Sequence, residues 1–202
     1  MLSGLLVDLV PFTREWYQEK MHAYWNNESR LWATMGECMP ISRASIARIV
    51  EERAQGRERG YSGVHFMMRT KDGVTIGNIG LNWVDYHSRC GFLGAWIGEE
   101  DYWGGGYGTD ALLLLVEYAF DWLDLRRLAL GTMALNVRAQ RNVEKCGFRL
   151  EGRERQATLV NGEWVDALTY GLLRQEWPGR EVLVERLGLR EKAAQRYTAQ
   201  EE

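Results

Sequence analysis

The sequence predicts an α+β domain on a mostly antiparallel sheet, with one β-α-β crossover. Three observations carry this. Two stretches of helical spacing stand near the N-terminus, ahead of the closely spaced strand-like runs. Hairpin signals at Lys71-Asp72-Gly73 and Asn161-Gly162 join apolar runs, as antiparallel neighbours require. Between them, an apolar run over Gly91 to Gly98 feeds a glycine-rich loop and then Leu112-Leu113-Leu114-Leu115-Val116, which is strand, loop, helix in crossover order.

In chain order, Leu5 to Phe12 alternates loosely and stops near Pro11, a first strand. Thr13 can cap a helix to about Asn26, whose Trp16, Tyr17, Met21, Tyr24 and Trp25 recur at helical spacing. After a loop at Met39-Pro40, Ser42 can cap a second helix from Arg43 to about Gln55, with Ile46, Ile49 and Val50 on one face. A charged turn, Gly56 to Gly60, precedes strands over Val64 to Thr70, Val74 to Val84 and Gly91 to Gly98. A helix over Tyr107 to Leu123 leads to a strand over Leu128 to Leu135. A short helix, Arg138 to Lys145, ends at Gly147. The last hairpin pairs Phe148 to Leu159 with Trp164 to Leu173. Glu181 to Ala199 has helix-forming composition.

Composition narrows the function classes. With 202 residues, 46% of them hydrophobic and 26% charged, the chain suits one globular domain. A net charge of −3 gives no general nucleic-acid surface. No run approaches the roughly 20 apolar residues that span a bilayer. Met1 to Val10 lacks the basic start of a signal peptide. Cys38, Cys90 and Cys146 are odd in number and scattered. They read as buried free thiols of a reducing, cytoplasmic protein. His22, His65 and His87 lack ligand spacing, so no metal is expected.

The chemistry lies in Tyr102-Trp103-Gly104-Gly105-Gly106-Tyr107-Gly108-Thr109-Asp110. Glycines let a ligand approach the main chain, and the first N–H groups of a helix lack intrahelical partners. Together they form a phosphate cradle. A Walker A loop would need Lys before Ser/Thr, and a dinucleotide fingerprint would need Gly-x-Gly-x-x-Gly. Neither is present. Gly106-x-Gly108, with Trp103 three places earlier, resembles the pyrophosphate loop of the GNAT N-acetyltransferases, where Trp103 stands in place of the usual Gln or Arg. Asn136-Val137-Arg138-Ala139 followed by Glu144-Lys145-Cys146-Gly147-Phe148 is similar to that family's second pattern. The tract around Tyr102–Ala111, with Glu151-Gly152, Asp166, Tyr170 and Glu176-Trp177, resembles the branch of ribosomal-protein N-terminal acetyltransferases. The likeness covers residues 5–177 as one acetyltransferase domain and leaves 178–202 as a helical tail that packs on the domain, extends a dimer contact or frays.

The resemblance implies the GNAT fold, a mixed sheet splayed at a cofactor cleft, and acetyl-CoA as cosubstrate. The cleft would open between Gly91–Gly98 and Leu128–Leu135. Main-chain groups of Trp96, Ile97 and Gly98 would pair with the pantetheine arm, and an N–H near Ile97 would hold the oxyanion. Trp103, Gly104, Gly105, Gly106, Tyr107, Gly108 and Thr109 would hold the pyrophosphate. Asn136 would contact the pantetheine or the reacting carbonyl, or else bond its own backbone. Arg141 and Lys145 would reach the 3′-phosphate or form a solvated face. Glu99 and Glu100, with Asp101 as a third choice, are candidate bases acting through water, or merely acids near a helix start. Where many relatives carry a tyrosine acid, this chain has Val143. Hairpin pairing through Asp85–Arg89 would set Asn78 opposite Trp96. Tyr24, Trp25, Trp32 and Met35 are candidates for the acceptor wall. The acceptor would be a primary amine, on a small molecule or a protein N-terminus, and dimers are frequent in the family. A CoA-binding module without transferase activity is the alternative, and an unrelated phosphate-binding domain a distant third.

Overall fold

The computed structural model describes residues 1–25, 41–55 and 63–198. The expected loop at Met39-Pro40, the turn at Gly56–Gly60, Cys38, and the wall candidates Trp32 and Met35 lie outside these. Strands β1 (Leu2–Ser3) and β2 (Val7–Pro11) lead to helices α1 (Arg14–Trp25) and α2 (Arg43–Gln55). Strands β3 (Val64–Thr70), β4 (Thr75–Asp85) and β5 (Cys90–Ile97) follow, then helix α3 (Tyr107–Glu117), strand β6 (Arg127–Met133) and helix α4 (Val137–Lys145). Strands β7 (Arg149–Val160) and β8 (Glu163–Leu173) close the sheet, and helices α5 (Arg180–Arg186) and α6 (Leu189–Thr198) complete the fold. Among the described residues the sheet has eight strands, in the order β1-β2-β3-β4-β5-β6-β8-β7. Every pairing is antiparallel except β5 with β6, the crossover that α3 makes.

The local signals have the causes expected of them. Ser42 Oγ accepts from Ser45 N–H at 3.1 Å, capping α2. Asn161 (φ 53°) and Gly162 (φ 81°) form the two-residue turn between β7 and β8. Gly147 (φ 99°) ends α4: its N–H reaches Glu144 O at 3.0 Å, and Phe148 N–H reaches Val143 O at 3.1 Å. That is a Schellman ending. The helix expected from Tyr107 to Leu123 winds wider at its end, with a π turn over Tyr118–Trp122.

The main core lies between α3 and one face of the sheet. Leu112 to Val116 are all buried, packed with Ile79, Leu81 and Leu93. A helix apolar on every side needs cover on both sides. The second cover comes from the chain end. Leu183, Val184, Leu189 and Ala193 of α5 and α6 belong to the same core. One tail helix was expected; a break at Leu187-Gly188 gives two. On the opposite sheet face, Tyr17, Ile46 and Val50 make a small separate core under α1 and α2, and Trp16 stacks on Trp96 at 5.8 Å.

One buried carboxylate ties these layers together. Asp110, in the first turn of α3, is fully buried. It accepts from Leu6 N–H at 2.7 Å and Val7 N–H at 3.1 Å, at the start of β2. Arg180 of α5 donates to its other oxygen at 3.3 Å. Asp166 and Glu151 hold the last hairpin. Asp166 accepts from Gln156 N–H and Arg153, each at 2.8 Å. Glu151 crosses over Gly171 of β8 to pair with Arg127 of β6. Among the described residues no helix is long and apolar enough to cross a membrane.

Asp110→Asn would keep the shape but present an amide to two N–H donors and leave Arg180 with only its ion pair to the exposed Glu181. We expect a loss of about 3 kcal/mol, read as a fall in the denaturant midpoint at unchanged slope. A loss under about 1 kcal/mol would show that the tie does not matter.

Candidate active site

Strands β5 and β6 pair only from Cys90/Arg127 to Leu93/Leu130. Beyond that, β5 runs on to Ile97 beside β4, and β6 runs on to Met133 beside β8. The sheet is therefore split from Gly94 onward, and β5 presents an open edge. Gly98 N–H donates to Ile76 O at 3.1 Å, on the β4 side. By strand alternation the N–H of Ile97 and the main-chain groups of Ala95 point the other way, into the split. The groups available to an extended ligand are thus those of Ala95 and Ile97. Those of Trp96 and Gly98 face β4.

Across the split lies a cavity of about 890 Å³. Its walls include Trp96, Ile97, Gly98, Trp103, Gly104, Gly106, Gly108, Thr109, Asn136, Arg141 and Lys145, all expected from the sequence. Gly105 and Tyr107 sit behind the wall, and only their main chain belongs to the loop. Tyr107 is buried, with the Arg196 guanidinium 4.7 Å from its ring. Gly106 takes φ 93° and caps α3. Its carbonyl accepts from Thr109 and Asp110 N–H at 3.0 and 2.9 Å. The N–H groups of Gly104 to Gly108 find no acceptor among the described residues. They form the donor array, and Thr109 N–H is not part of it.

Trp103 fastens this loop to the strand. Its indole N–H donates to Ile97 O at 2.9 Å, and the Arg138 guanidinium lies 3.5 Å from its ring centre. Burial holds Arg138 below the usual arginine range, while Glu100 pulls it upward. Asn142 fastens the loop to α4. It accepts from Thr109 Oγ at 2.7 Å and donates to Gly108 O at 3.4 Å. Sequence reasoning missed Asn142 and Arg138. The available signal for Asn142 was its place one turn after Ala139, on the face of α4 that the second family pattern marks.

Asn136 caps α4, its Oδ1 accepting from Ala139 N–H at 3.1 Å. It also lines the cavity. Val143 is buried and lines it too. Glu99 and Glu100 do not. Glu99 pairs with Lys20 of α1 at 3.0 Å, and Glu100 and Asp101 lie exposed in a 3-10 turn. Asn78 stands opposite Trp96, as expected, though by an unexpected route. The hairpin closes at Asp85/Cys90, which alone would shift the register by one. A bulge at Asn82 restores it. Asn78 is 4% exposed, lines the cavity, and its carboxamide makes no hydrogen bond among the described residues. His65 and Asn82 line the same end. His65 lies over Gly80 and the Asn82 carboxamide over Gly94, each on ground that a Cβ would fill. Tyr24 and Trp25 belong to α1, and no group of acids, histidines and cysteines able to hold a metal occurs among the described residues.

The family profile described as acetyltransferase (GNAT) domain matches residues 7–149. The chain belongs to the GNAT acetyltransferase family. A putative ribosomal N-acetyltransferase of Bacillus subtilis is 36% identical over 110 residues, which are 54% of this chain and 60% of that protein. The chain thus spans three fifths of that relative's length. The ribosomal-protein-serine acetyltransferase of Escherichia coli is 26% identical over 64% of this chain and 70% of its own. Among solved structures, RimJ of Mycobacterium smegmatis with CoA-disulfide superposes with a TM-score of 0.77 at 20% identity, covering 93% of this chain and 94% of that one. The Vibrio cholerae spermidine N-acetyltransferase with CoA and spermine gives 0.73 at 20%, covering 85% and 97%. At such identities the likeness is one of fold.

The two loop glycines differ in what they tolerate. A Cβ on Gly106 would meet Leu6 Cδ1 at 3.0 Å in a left-handed backbone, whereas one on Gly108 has 3.5 Å to Ile97 Cδ1. We expect Gly106→Ala to cost about 1–2 kcal/mol and Gly108→Ala to be neutral or to gain up to about 1 kcal/mol. Thermal melts of the two variants would settle the order, and a reversed order would refute this account of the loop.

Proposed function

We propose that this chain moves acetyl from acetyl-CoA to a primary amine by direct attack of the amine on the thioester. The observation that carries the reading is the open edge of β5 running into the N–H array of Gly104–Gly108 within one cavity. A strand-like arm on that edge and a pyrophosphate on that array suit one ligand. Bound acetyl-CoA supplies an activated acyl group on a thiol of pKa about 8.5, on the cysteine scale.

The chain's own residues then have distinct tasks. Ala95 and Ile97 pair with the arm, and the Ile97 N–H stabilises the oxyanion. Gly104 to Gly108 hold the pyrophosphate, while Trp103 and Asn142 keep that array aimed. Asn136 offers its amide N–H to the arm while its oxygen caps α4. Asn78, His65 and Asn82 line the end where the amine enters, and holding amine and thioester together supplies much of the rate. Val143 leaves the departing thiolate without a tyrosine acid, which a leaving group of this basicity tolerates. Glu99, held by Lys20, steadies the strand end rather than serving as base. An α-amine, with pKa about 7.7–8.0, needs less help to lose its proton than a lysine amine. That favours a protein N-terminus as acceptor, in keeping with the ribosomal relatives. Cys146 is buried as expected and Cys90 only partly so, and both are free thiols that suit a reducing cytoplasm.

Two measurements test the reading. Acetyl-CoA at 100 times its dissociation constant should add about 2.7 kcal/mol to stability in a melt, and ATP or NAD should not. No shift with acetyl-CoA would overturn the proposal. A shift without release of the CoA thiol from acetyl-CoA in the presence of any amine would favour a CoA-binding module, the reading that Val143 supports. Asn136→Ser keeps the helix cap but removes the amide. We expect stability within about 0.5 kcal/mol and a fall in kcat/KM of about tenfold. Unchanged kcat/KM would make Asn136 a cap and nothing more.

A further inference from the structure

The burial of Asn78 is not explained by the fold. It stands within β4, with Met67 of β3 and Trp96 of β5 as its partners on either side. It is 4% exposed, and its carboxamide makes no hydrogen bond among the described residues. Met67 beside it is buried, and so is Tyr17 of α1, which shares the cavity wall with it. Asparagine is a poor strand former, and burying a carboxamide without a partner is unfavourable. A leucine would serve both the strand and the packing better. What the carboxamide does face is the cavity.

The position also has a direction. Ile97, whose N–H the proposed function assigns to the oxyanion, directly follows Trp96. Asn78 therefore lies one strand spacing, about 4.8 Å, from the strand whose far edge is open. On the same sheet face, two residues on, Gly80 pairs with His65 on one side and Gly94 on the other. The His65 imidazole lies over Gly80 and the Asn82 carboxamide over Gly94. Asn82 is exposed, His65 half-buried and Asn78 buried. A path of neutral polar groups thus leads from solvent inward to Asn78, along the cavity wall.

We infer that Asn78 is a specificity residue that recognises an α-amino carbonyl unit, the amine and adjacent C=O that begin a peptide chain. This rests on the acetyl-transfer reading above. A carboxamide has a donor edge and an acceptor edge, and both need partners once a ligand has displaced water from the cavity. In an extended first residue the amine N–H and the C=O point to the same side, as in a strand. The amine then donates to Asn78 Oδ1 while the carbonyl accepts from Nδ2, and the amine lone pair stays free for the thioester. An alkyl amine, a polyamine or a lysine side chain has no adjacent carbonyl and leaves the Nδ2 donors unmet. A site built for a polar group rejects a ligand that lacks it.

The test measures kcat/KM for two probes at saturating acetyl-CoA, with rates referred to the free-base concentration of each amine. The probes are alaninamide and 3-methyl-2-butylamine, which has the same branching without the carbonyl. The wild type should favour alaninamide about tenfold. Asn78→Leu should narrow that preference to about twofold, mainly through KM, while the melting temperature holds or rises and its shift with acetyl-CoA is kept. Asn78→Asp keeps an oxygen for the amine but has no donor for the carbonyl, and it should lose the preference as well. Equal wild-type rates for the two probes would overturn the inference and leave acetyl transfer standing. So would a preference that survives in both variants, or an equal loss on both probes with a lower melting temperature, which would make Asn78 a packing residue. Stabilisation by acetyl-CoA with acetylation of neither probe nor any other amine would remove the transfer reading, and the inference with it.

Discussion

Asp110 is the constraint on which the rest of the structure hangs. It stands in the first turn of α3, four residues after Gly106, and has no access to solvent. Its two oxygens take the main-chain N–H groups of Leu6 and Val7 and the guanidinium of Arg180. The start of the chain, the helix behind the phosphate loop and the chain end thus meet at one carboxylate. A buried charge is tolerated only when its partners are complete, so those segments are held in one relation. The glycine loop is thereby anchored at the end where it opens α3.

A second constraint follows from the apolar run Leu112–Val116. No single sheet can cover a helix that is apolar on every side. The helices α5 and α6 supply the missing cover, and their packing brings Lys192 and Arg196 beside the loop. The burial that stabilises α3 and the charge that borders the glycine loop therefore arise from the same helices. On the other sheet face, α1 is joined to the strand end by the stack of Trp16 on Trp96 and the pair of Lys20 with Glu99. Both contacts fix the tip of β5, which borders the cavity.

The divided sheet converts this scaffold into a site. Pairing of β5 with β6 stops at Leu93/Leu130, and the edge that opens is the edge to which the proposed function assigns an extended cosubstrate arm. Trp103 does a task here that neither Gln nor Arg would do in the same way. Its indole bonds Ile97 O while its ring carries Arg138 from the far wall. The departure from the usual family residue is thus compensated within the loop, and Asn142 braces the same loop from α4.

The amino-acid order by itself determined the local elements: the caps, the Asn161-Gly162 turn, the Schellman ending at Gly147, and the glycine loop opening a helix. Each depends on backbone sterics and hydrogen bonds within a few residues, which the sequence carries directly. It also located the side of the cavity wall that the glycine loop and α4 make, because the two family patterns lie on those elements. The tertiary structure alone decided which groups of β5 face the split, since that follows from pairing with β4 and not from β5's own residues. It alone decided the register at Asn78, which depends on a one-residue bulge at Asn82 that shifts every later pair. Glu99 pairs with a lysine on a distant helix and lies off the cavity wall, and Asn142, Lys192 and Arg196 were brought to the loop by packing. Contacts between segments far apart in the chain leave no periodicity in either one, and so they become visible only when the chain is folded.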